Sequence, residues 1–239
     1  MAFSKDTAGA RIARSQKPSG QRHFLELAKK LCAVGKDFYA RGWAPGTGGN
    51  YSAVLQREPL QLAVTPSGVE KGSIRASEIV RVNHVGEVLA GKYRPSYETL
   101  VHCTIVRLRN AGAVLHTHSV WATILSAEYA PEQGISVENY EMLKGLEGVS
   151  THQHIEWIPI VQNCQDMVQL SSNVTTVLGE YPQAHGFLVQ GHGLYTWGRT
   201  LSEAKRHVEV FEFLFEVLGR TRSRIITAGG NANGSRHNS

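Results

Sequence analysis

Cysteine is scarce in this sequence, and the three cysteines present are far apart, with no Cys-x-x-Cys pair. They cannot form an even-numbered disulfide framework, so they are predicted to be small buried residues in a reducing cytosol. Long apolar runs are also missing: none approaches the roughly 20 residues that cross a bilayer. The first residues lack the apolar core of a secretion signal. These absences together predict a cytoplasmic protein with no membrane segment.

An excess of positive charge is missing from the body of the chain, although the net charge of the whole chain is +5. Residues 1–22 and 220–239 each carry a net charge of +4, so the residues between them are net negative. A nucleic-acid-binding face needs its basic residues on the folded body, so we expect no nucleic-acid partner. Tails of this composition are usually disordered. The sequence therefore predicts one folded domain over 23–219 between two disordered tails.

The remaining composition, 41% hydrophobic and 19% charged, is that of a globular domain. Apolar residues at helical spacing predict helices over 23–41, 95–109, 119–129, 165–181 and 200–219. A short amphipathic helix is predicted over 139–146, with Met142 and Leu146 facing the core. Strands are predicted over 51–56, 60–64, 79–83, 86–89, 186–190 and 195–197. Because many strands form hairpins, the fold predicted is α/β with a mixed, mainly antiparallel sheet covered by helices.

Two histidines end the apolar run that begins at Ala111. His116 and His118 are two residues apart, so on a strand their side chains lie on the same side and can hold one metal ion. The alternative is that one of them is only a hydrogen-bonded residue at a strand end. His192 lies between two glycines at a tight turn, which suits a third ligand. A rival pair, His152 and His154, lies in a polar turn and is interpreted as surface.

Two loops rich in glycine and hydroxyl groups, over residues 43–50 and 65–68, precede this strand. Their backbone N–H groups can form anion-binding nests, although the alternative is that both are ordinary turns. Ser96 is predicted to cap the helix over 95–109. Glu98 either stabilises the first turn of that helix or points into the site. His102, inside the same helix, is interpreted as a packing residue.

Five motifs in this order resemble the zinc-dependent class II aldolase/adducin family: Gly46-Thr-Gly-Gly-Asn50, Thr65-Pro-Ser-Gly68, Pro95-Ser-Tyr-Glu98, Ala113-Val-Leu-His-Thr-His-Ser119 and Gly191-His-Gly193. The resemblance spans about residues 23–219 and implies a three-layer α/β/α fold. It implies one zinc ion per subunit on His116, His118 and His192, which leaves the open coordination position of a catalytic site. It also implies a homotetramer with sites near subunit interfaces, and a phosphate pocket formed by Gly48, Gly49, Asn50, Ser67, Gly68 and Ser96.

The resemblance implies two candidate catalytic carboxylates. The dehydratases of this family use the glutamate of a Glu-Met-Leu-Lys-Gly motif as acid/base, which here is Glu141. The aldolases use the glutamate after the serine-rich helix start, which here is Glu98. We expect Glu141 to carry the chemistry and rank Glu98 second; which is base and which is acid stays open. Tyr97 departs from the aldolase pattern, in which a second serine is common.

The function implied is zinc-dependent dehydration of a ketopentose 1-phosphate that carries a methylthio group at C5, giving a 2,3-diketone in methionine salvage. One alternative is a sugar-phosphate aldolase or epimerase on the same site. Another is an adducin-like binding domain that keeps the fold without catalysis. The last alternative requires the metal histidines to be lost, and all three are present.

Overall fold

The structure is a computed structural model that describes residues 19–232. The parts of the predicted tails over 1–18 and 233–239 lie outside the described residues. Five helices are α1 (Ser19–Ala40), α2 (Thr99–Arg109), α3 (Val120–Glu128), α4 (Met167–Glu180) and α5 (Leu201–Ala232). The strands are β1 (Asn50–Gln56), β2 (Gln61–Val64), β3 (Val80–Asn83), β4 (Val88–Ala90), β5 (Ala113–Thr117), β6 (Gly134–Val137), β7 (Glu156–Val161), β8 (Gly186–Val189) and β9 (Gly193–Gly198).

The nine strands form one sheet in the order β4-β3-β2-β1-β5-β9-β8-β7-β6. Neighbouring strands are antiparallel except for β7 and β8, which are parallel. This confirms the mixed, mainly antiparallel sheet. Two of its strands, β6 and β7, were not predicted. β6 is only four residues long, and β7 contains Pro159, which counts against a strand in the sequence.

Both faces of the sheet are covered by helices, as the three-layer prediction requires. Val114 and Tyr195 pack on one face with apolar residues of α2 and α4. Leu115, the next residue of β5, packs on the other face with α1 and α5. Farther along the sheet, α3 and α5 cover a third apolar cluster. β5 is therefore buried on both faces, which explains why its sequence is continuously apolar.

Helix α2 begins later than predicted. The predicted helix started at Pro95 with Ser96 as its cap, but the helix begins at Thr99. Pro95 instead forms an antiparallel bridge with Pro66, which holds the chain extended at that point. The Ser96 hydroxyl accepts a bond from the N–H of Glu98 at 3.3 Å, within a turn. Glu98 makes no side-chain cap bond to the helix, so its carboxylate is free to point elsewhere.

The first and last helices extend beyond their predicted bounds. Helix α1 begins at Ser19 rather than at residue 23, and α5 continues past Gly219 to Ala232. The sequence predicts that the last helix ends at Gly219. A Cβ at this position would lie 2.2 Å from the ring of Trp121, so the glycine allows α3 to pack closely on α5.

The predicted helix over 139–146 is a short 3₁₀ helix, Glu141–Gly145. Met142 was expected in the core but is 37% exposed, because the tighter turn directs Leu143 inward instead. Leu146 is buried as predicted. Cys32 and Cys103 are buried thiols, as expected, and Cys164 is half-buried. Within residues 19–232, no helix has both the length and the apolar character needed to cross a membrane.

Candidate active site

Three histidine rings meet at the end of β5. His116 and His118 leave this strand on the same side, and the tight turn between β8 and β9 brings His192 to them. Their Nε2 atoms lie 2.7 Å (His116–His118), 3.0 Å (His118–His192) and 3.3 Å (His116–His192) apart. One Glu98 oxygen lies 3.5 Å from the Nε2 of His116, and the other lies 3.6 Å from that of His192. These four side chains form a cluster that could hold one metal ion.

The protonation of His116 and His118 suits a metal. The Nδ1 of His116 lies 2.8 Å from the carbonyl oxygen of Leu194 and donates to it, so the Nε2 lone pair is free. Burial, together with the neighbouring histidines, lowers the pKa of His116 well below its usual value. Burial lowers the pKa of His118 to about 4. Neutral rings whose lone pairs converge are the donors that Zn²⁺ and similar divalent ions prefer.

Glycines bring the loops close to the metal strand. A Cβ on Gly48 would lie 2.9 Å from the Nδ1 of His118. Gly49 has a φ of +71°, and a Cβ there would lie 2.8 Å from the carbonyl oxygen of His116. On the other side, a Cβ on Gly193 would lie 2.0 Å from the carbonyl oxygen of Thr117. These residues are glycines because larger ones would displace the strand that carries the ligands.

A chain of buried hydrogen bonds holds Glu98 in place. The amide nitrogen of Asn50 donates to Glu98 at 2.5 Å, and its oxygen accepts from the Nε2 of His102 at 2.5 Å. Because that oxygen can only accept, the proton of His102 is on Nε2, and Nδ1 accepts from the Ser52 hydroxyl at 2.8 Å. Burial lowers the pKa of His102 to about 3, so the ring is neutral. His102 is therefore more than the packing residue that was predicted.

A second buried carboxylate supports the strand from its other side. The hydroxyl of Thr117, between the two histidines of β5, donates to Glu212 on α5 at 2.7 Å. Burial raises the pKa of Glu212 to about 7. This contact fixes β5 against α5 and thereby fixes the direction of its two histidines.

His118, His192 and Glu98 line a cavity of about 450 Å³. Every residue predicted for the phosphate pocket lines it: Gly48, Gly49, Asn50, Ser67, Gly68 and Ser96. The two glycine- and hydroxyl-rich loops therefore converge as expected, beside the candidate metal site. The amide of Asn50 is occupied by Glu98 and His102, so its side chain positions the carboxylate. Sequence reasoning missed five further wall residues, which are Lys71, Asn163, Cys164, Gln165 and Met167.

Residues 29–218 match the family described as Class II Aldolase and Adducin N-terminal domain. The chain belongs to the class II aldolase/adducin family. Its relatives include a methylthioribulose-1-phosphate dehydratase of Hahella chejuensis, 43% identical over 80% of this chain and 91% of the relative. A protein of the same name from Pseudomonas fluorescens is 42% identical over 83% of this chain and 94% of the relative.

Solved structures show the same fold. The L-fuculose-1-phosphate aldolase of Thermus thermophilus superposes with a TM-score of 0.66 at 21% identity, covering 83% of this chain and 96% of that one. A second L-fuculose 1-phosphate aldolase gives a TM-score of 0.69 at 22% identity, covering 83% and 87%. The family fold is thus shown by both sequence and structure.

Glu141 lies outside the cavity of its own chain. It is exposed, and its carboxylate contacts Lys144 at 2.6 Å and lies 3.9 Å from His152. The hydrogen bond from Lys144 lowers the pKa of Glu141. Within one described chain, the structure therefore places Glu98 against the metal histidines and leaves Glu141 on the surface.

The rival histidine pair does not act as a pair. His152 is exposed, whereas His154 is half-buried and contacts Glu156 at 2.8 Å. Glu156 also contacts the Nδ1 of His185 at 2.9 Å, and the Nε2 of His185 donates to the carbonyl oxygen of Glu147. Burial opposes the charged form, but Glu156 raises the pKa of His185. His154, Glu156 and His185 lie close enough to hold a metal ion, but the raised pKa of His185 favours an ion pair with Glu156 instead.

A larger groove, of about 760 Å³, lies between α1 and the start of α5. Its walls are apolar residues with basic residues such as Lys30 and Arg57 among them. It has no histidine or carboxylate among its described wall residues, so it lacks the groups that metal or acid–base chemistry requires.

Proposed function

We propose that this protein is a zinc-dependent methylthioribulose-1-phosphate dehydratase of methionine salvage. The observation that carries the proposal is the cluster of His116, His118, His192 and Glu98 at the wall of the cavity that the two loops line. The choice of substrate is supported by relatives of this name at 42–43% identity. The substrate would be a phosphorylated ketose, and the product its 2,3-diketone with one water lost.

The three histidines would hold the zinc ion, and their neutral charge leaves the ion its full Lewis acidity. When bound, zinc would polarise the C2 carbonyl and so acidify the proton on C3. Glu98 is already within 3.6 Å of two of these rings, and Asn50 fixes its carboxylate. We assign to Glu98 the removal of the C3 proton.

Loss of the C4 hydroxyl is assisted by an acid that protonates it. Glu98 is the only carboxylate among the described residues of the cavity wall. We propose that Glu141 supplies this acid from a neighbouring subunit of a homotetramer, because it is exposed and close to no metal ligand of its own chain. Burial at the interface would also raise the pKa of Glu141, which favours the protonated form that can donate a proton. A positioned acid contributes about 10²–10⁴-fold to the rate.

Mixing two inactive variants tests the assignment of Glu141. In a ring of subunits, Glu141→Gln and His116→Ala chains would form some sites with both residues intact if Glu141 acts across the interface. Equal mixing should then restore about a quarter of wild-type activity. One interface in four joins the intact histidines of a Glu141→Gln chain to the intact Glu141 of a His116→Ala chain. No recovery in mixed tetramers would contradict the proposal. Glu138→Gln, on the same exposed segment, is the matched control and should retain full activity.

The position of Glu98 also favours a second candidate, a sugar-phosphate aldolase, because the aldolases of this family use the glutamate at that position. The two reactions differ in their products. Dehydration leaves all carbons joined, whereas cleavage of C3–C4 releases dihydroxyacetone phosphate. A coupled assay for dihydroxyacetone phosphate with methylthioribulose 1-phosphate as substrate should give no signal.

The three unpaired thiols fit a reducing compartment, and we place the enzyme in the cytoplasm.

A further inference from the structure

Lys71 is a charged residue of the cavity wall that the proposed reaction does not use. It follows the second polar loop by three residues and is only 1% exposed. It is the only lysine or arginine among the described residues that line the cavity. The other polar groups of the two loops are neutral donors, so Lys71 supplies the only fixed positive charge beside them.

The ammonium group of Lys71 ties the two loops together. It donates to the carbonyl oxygen of Thr47, in the first loop, at 2.9 Å. It also donates to the carbonyl oxygen of Val69, directly after the second loop, at 2.8 Å. An ammonium group has three protons, so one proton remains.

This charge has no counter-ion in the described part of the chain. Burial lowers the pKa of Lys71 to about 8, and no carboxylate acts on it to raise the pKa. A buried charge without a partner is costly, and two carbonyl oxygens offset only part of that cost. A dianion in the cavity would supply the missing charge.

We propose that Lys71 is the cation that binds the phosphate of the substrate and holds both loops around it. The inference rests on the proposed function, because that function places a phosphate between these loops. It adds a residue outside the glycine and serine motifs that the family resemblance implies. It also explains why a lysine is buried at this point of the cavity wall.

Binding of inorganic phosphate to the zinc-loaded protein tests this proposal without any turnover. Calorimetry should show phosphate affinity at least tenfold weaker in Lys71→Met than in the wild type. The exposed Lys92→Met variant removes the same charge elsewhere and should bind phosphate as the wild type does. Equal phosphate affinity in wild type and Lys71→Met would overturn the proposal.

Lys71→Met removes two backbone contacts and could unfold the loops, so a second measurement uses the wild type. A crystal structure of the zinc-loaded protein with inorganic phosphate should place a phosphate oxygen within hydrogen-bond distance, about 3.2 Å, of the Lys71 ammonium. Phosphate bound away from Lys71 would contradict the assignment. Neither test needs the dehydration substrate. If only the proposed reaction is wrong, the protein will still bind phosphate through Lys71 but will not dehydrate methylthioribulose 1-phosphate.

Discussion

The hydrogen-bond chain from Ser52 through His102 and Asn50 to Glu98 allows a sharp prediction. Replacing His102 with leucine removes the donor to the Asn50 oxygen and the acceptor for the Ser52 hydroxyl, both buried. A buried polar group without a partner costs about 1–3 kcal/mol, so the folded state should lose about 2 kcal/mol or more. Glu98 would lose its orientation, and kcat should fall about 10- to 100-fold.

The conservative replacement His102→Gln separates orientation from titration. A glutamine can donate to Asn50 and accept from Ser52, so activity should return to within a few-fold of wild type. It cannot take up a proton. In the wild type, burial lowers the pKa of His102 from 6.5 to about 3. Between these pH values the unfolded chain binds a proton that the folded chain does not, so stability falls as the pH falls.

The size of this pH effect follows from the linkage relation. One proton changes the free energy of unfolding by about 1.4 kcal/mol per pH unit. Between pH 6.5 and pH 5, the wild type should therefore lose about 1.6 kcal/mol more than His102→Gln, because the unfolded histidine is only half protonated at pH 6.5. Urea unfolding of both proteins at equal concentration and several pH values measures the difference. The same pH dependence in both proteins, or full activity in His102→Leu, would refute the reasoning.

Two further predictions concern the metal site. His116→Ala should lose activity and also its bound zinc, which elemental analysis measures. His154→Ala should keep both. Equal zinc loss in the two variants would contradict the assignment of ligands. Gly193→Ala places a Cβ 2.0 Å from the carbonyl oxygen of Thr117 and should lower both the melting temperature and zinc affinity. Gly179→Ala, a helical position with nothing within 4 Å of the new Cβ, should leave zinc affinity unchanged and stabilise by about 0.5–1 kcal/mol.

The ligand strand was predictable because its information is local. The continuous apolar run of β5 indicates burial on both faces, and the spacing of His116 and His118 fixes their common side. The glycines around His192 likewise indicate a tight turn. The sheet class followed from hairpin spacing. These features depend on neighbouring residues in the chain, which the sequence displays directly.

Other features depend on contacts between distant segments. The bridge of Pro95 with Pro66 delays the start of α2, and nothing near Ser96 in the sequence shows it. Gly219 resembles a helix end, but its contact with Trp121 shows that it serves helix packing instead. Nothing near Lys71 in the sequence marks it as a wall residue of the cavity, because its contact with Thr47 joins residues that are 24 positions apart. Tertiary packing, rather than local pattern, decided each case.

The central claim is tested most directly by the product formed from methylthioribulose 1-phosphate. Mass spectrometry after incubation with the zinc-loaded enzyme should show one product that is lighter than the substrate by one water and keeps both the phosphate and the methylthio group. His116→Ala at the same concentration should leave the substrate unchanged. Release of a three-carbon phosphate, or no conversion by the zinc-loaded wild type, would contradict the account.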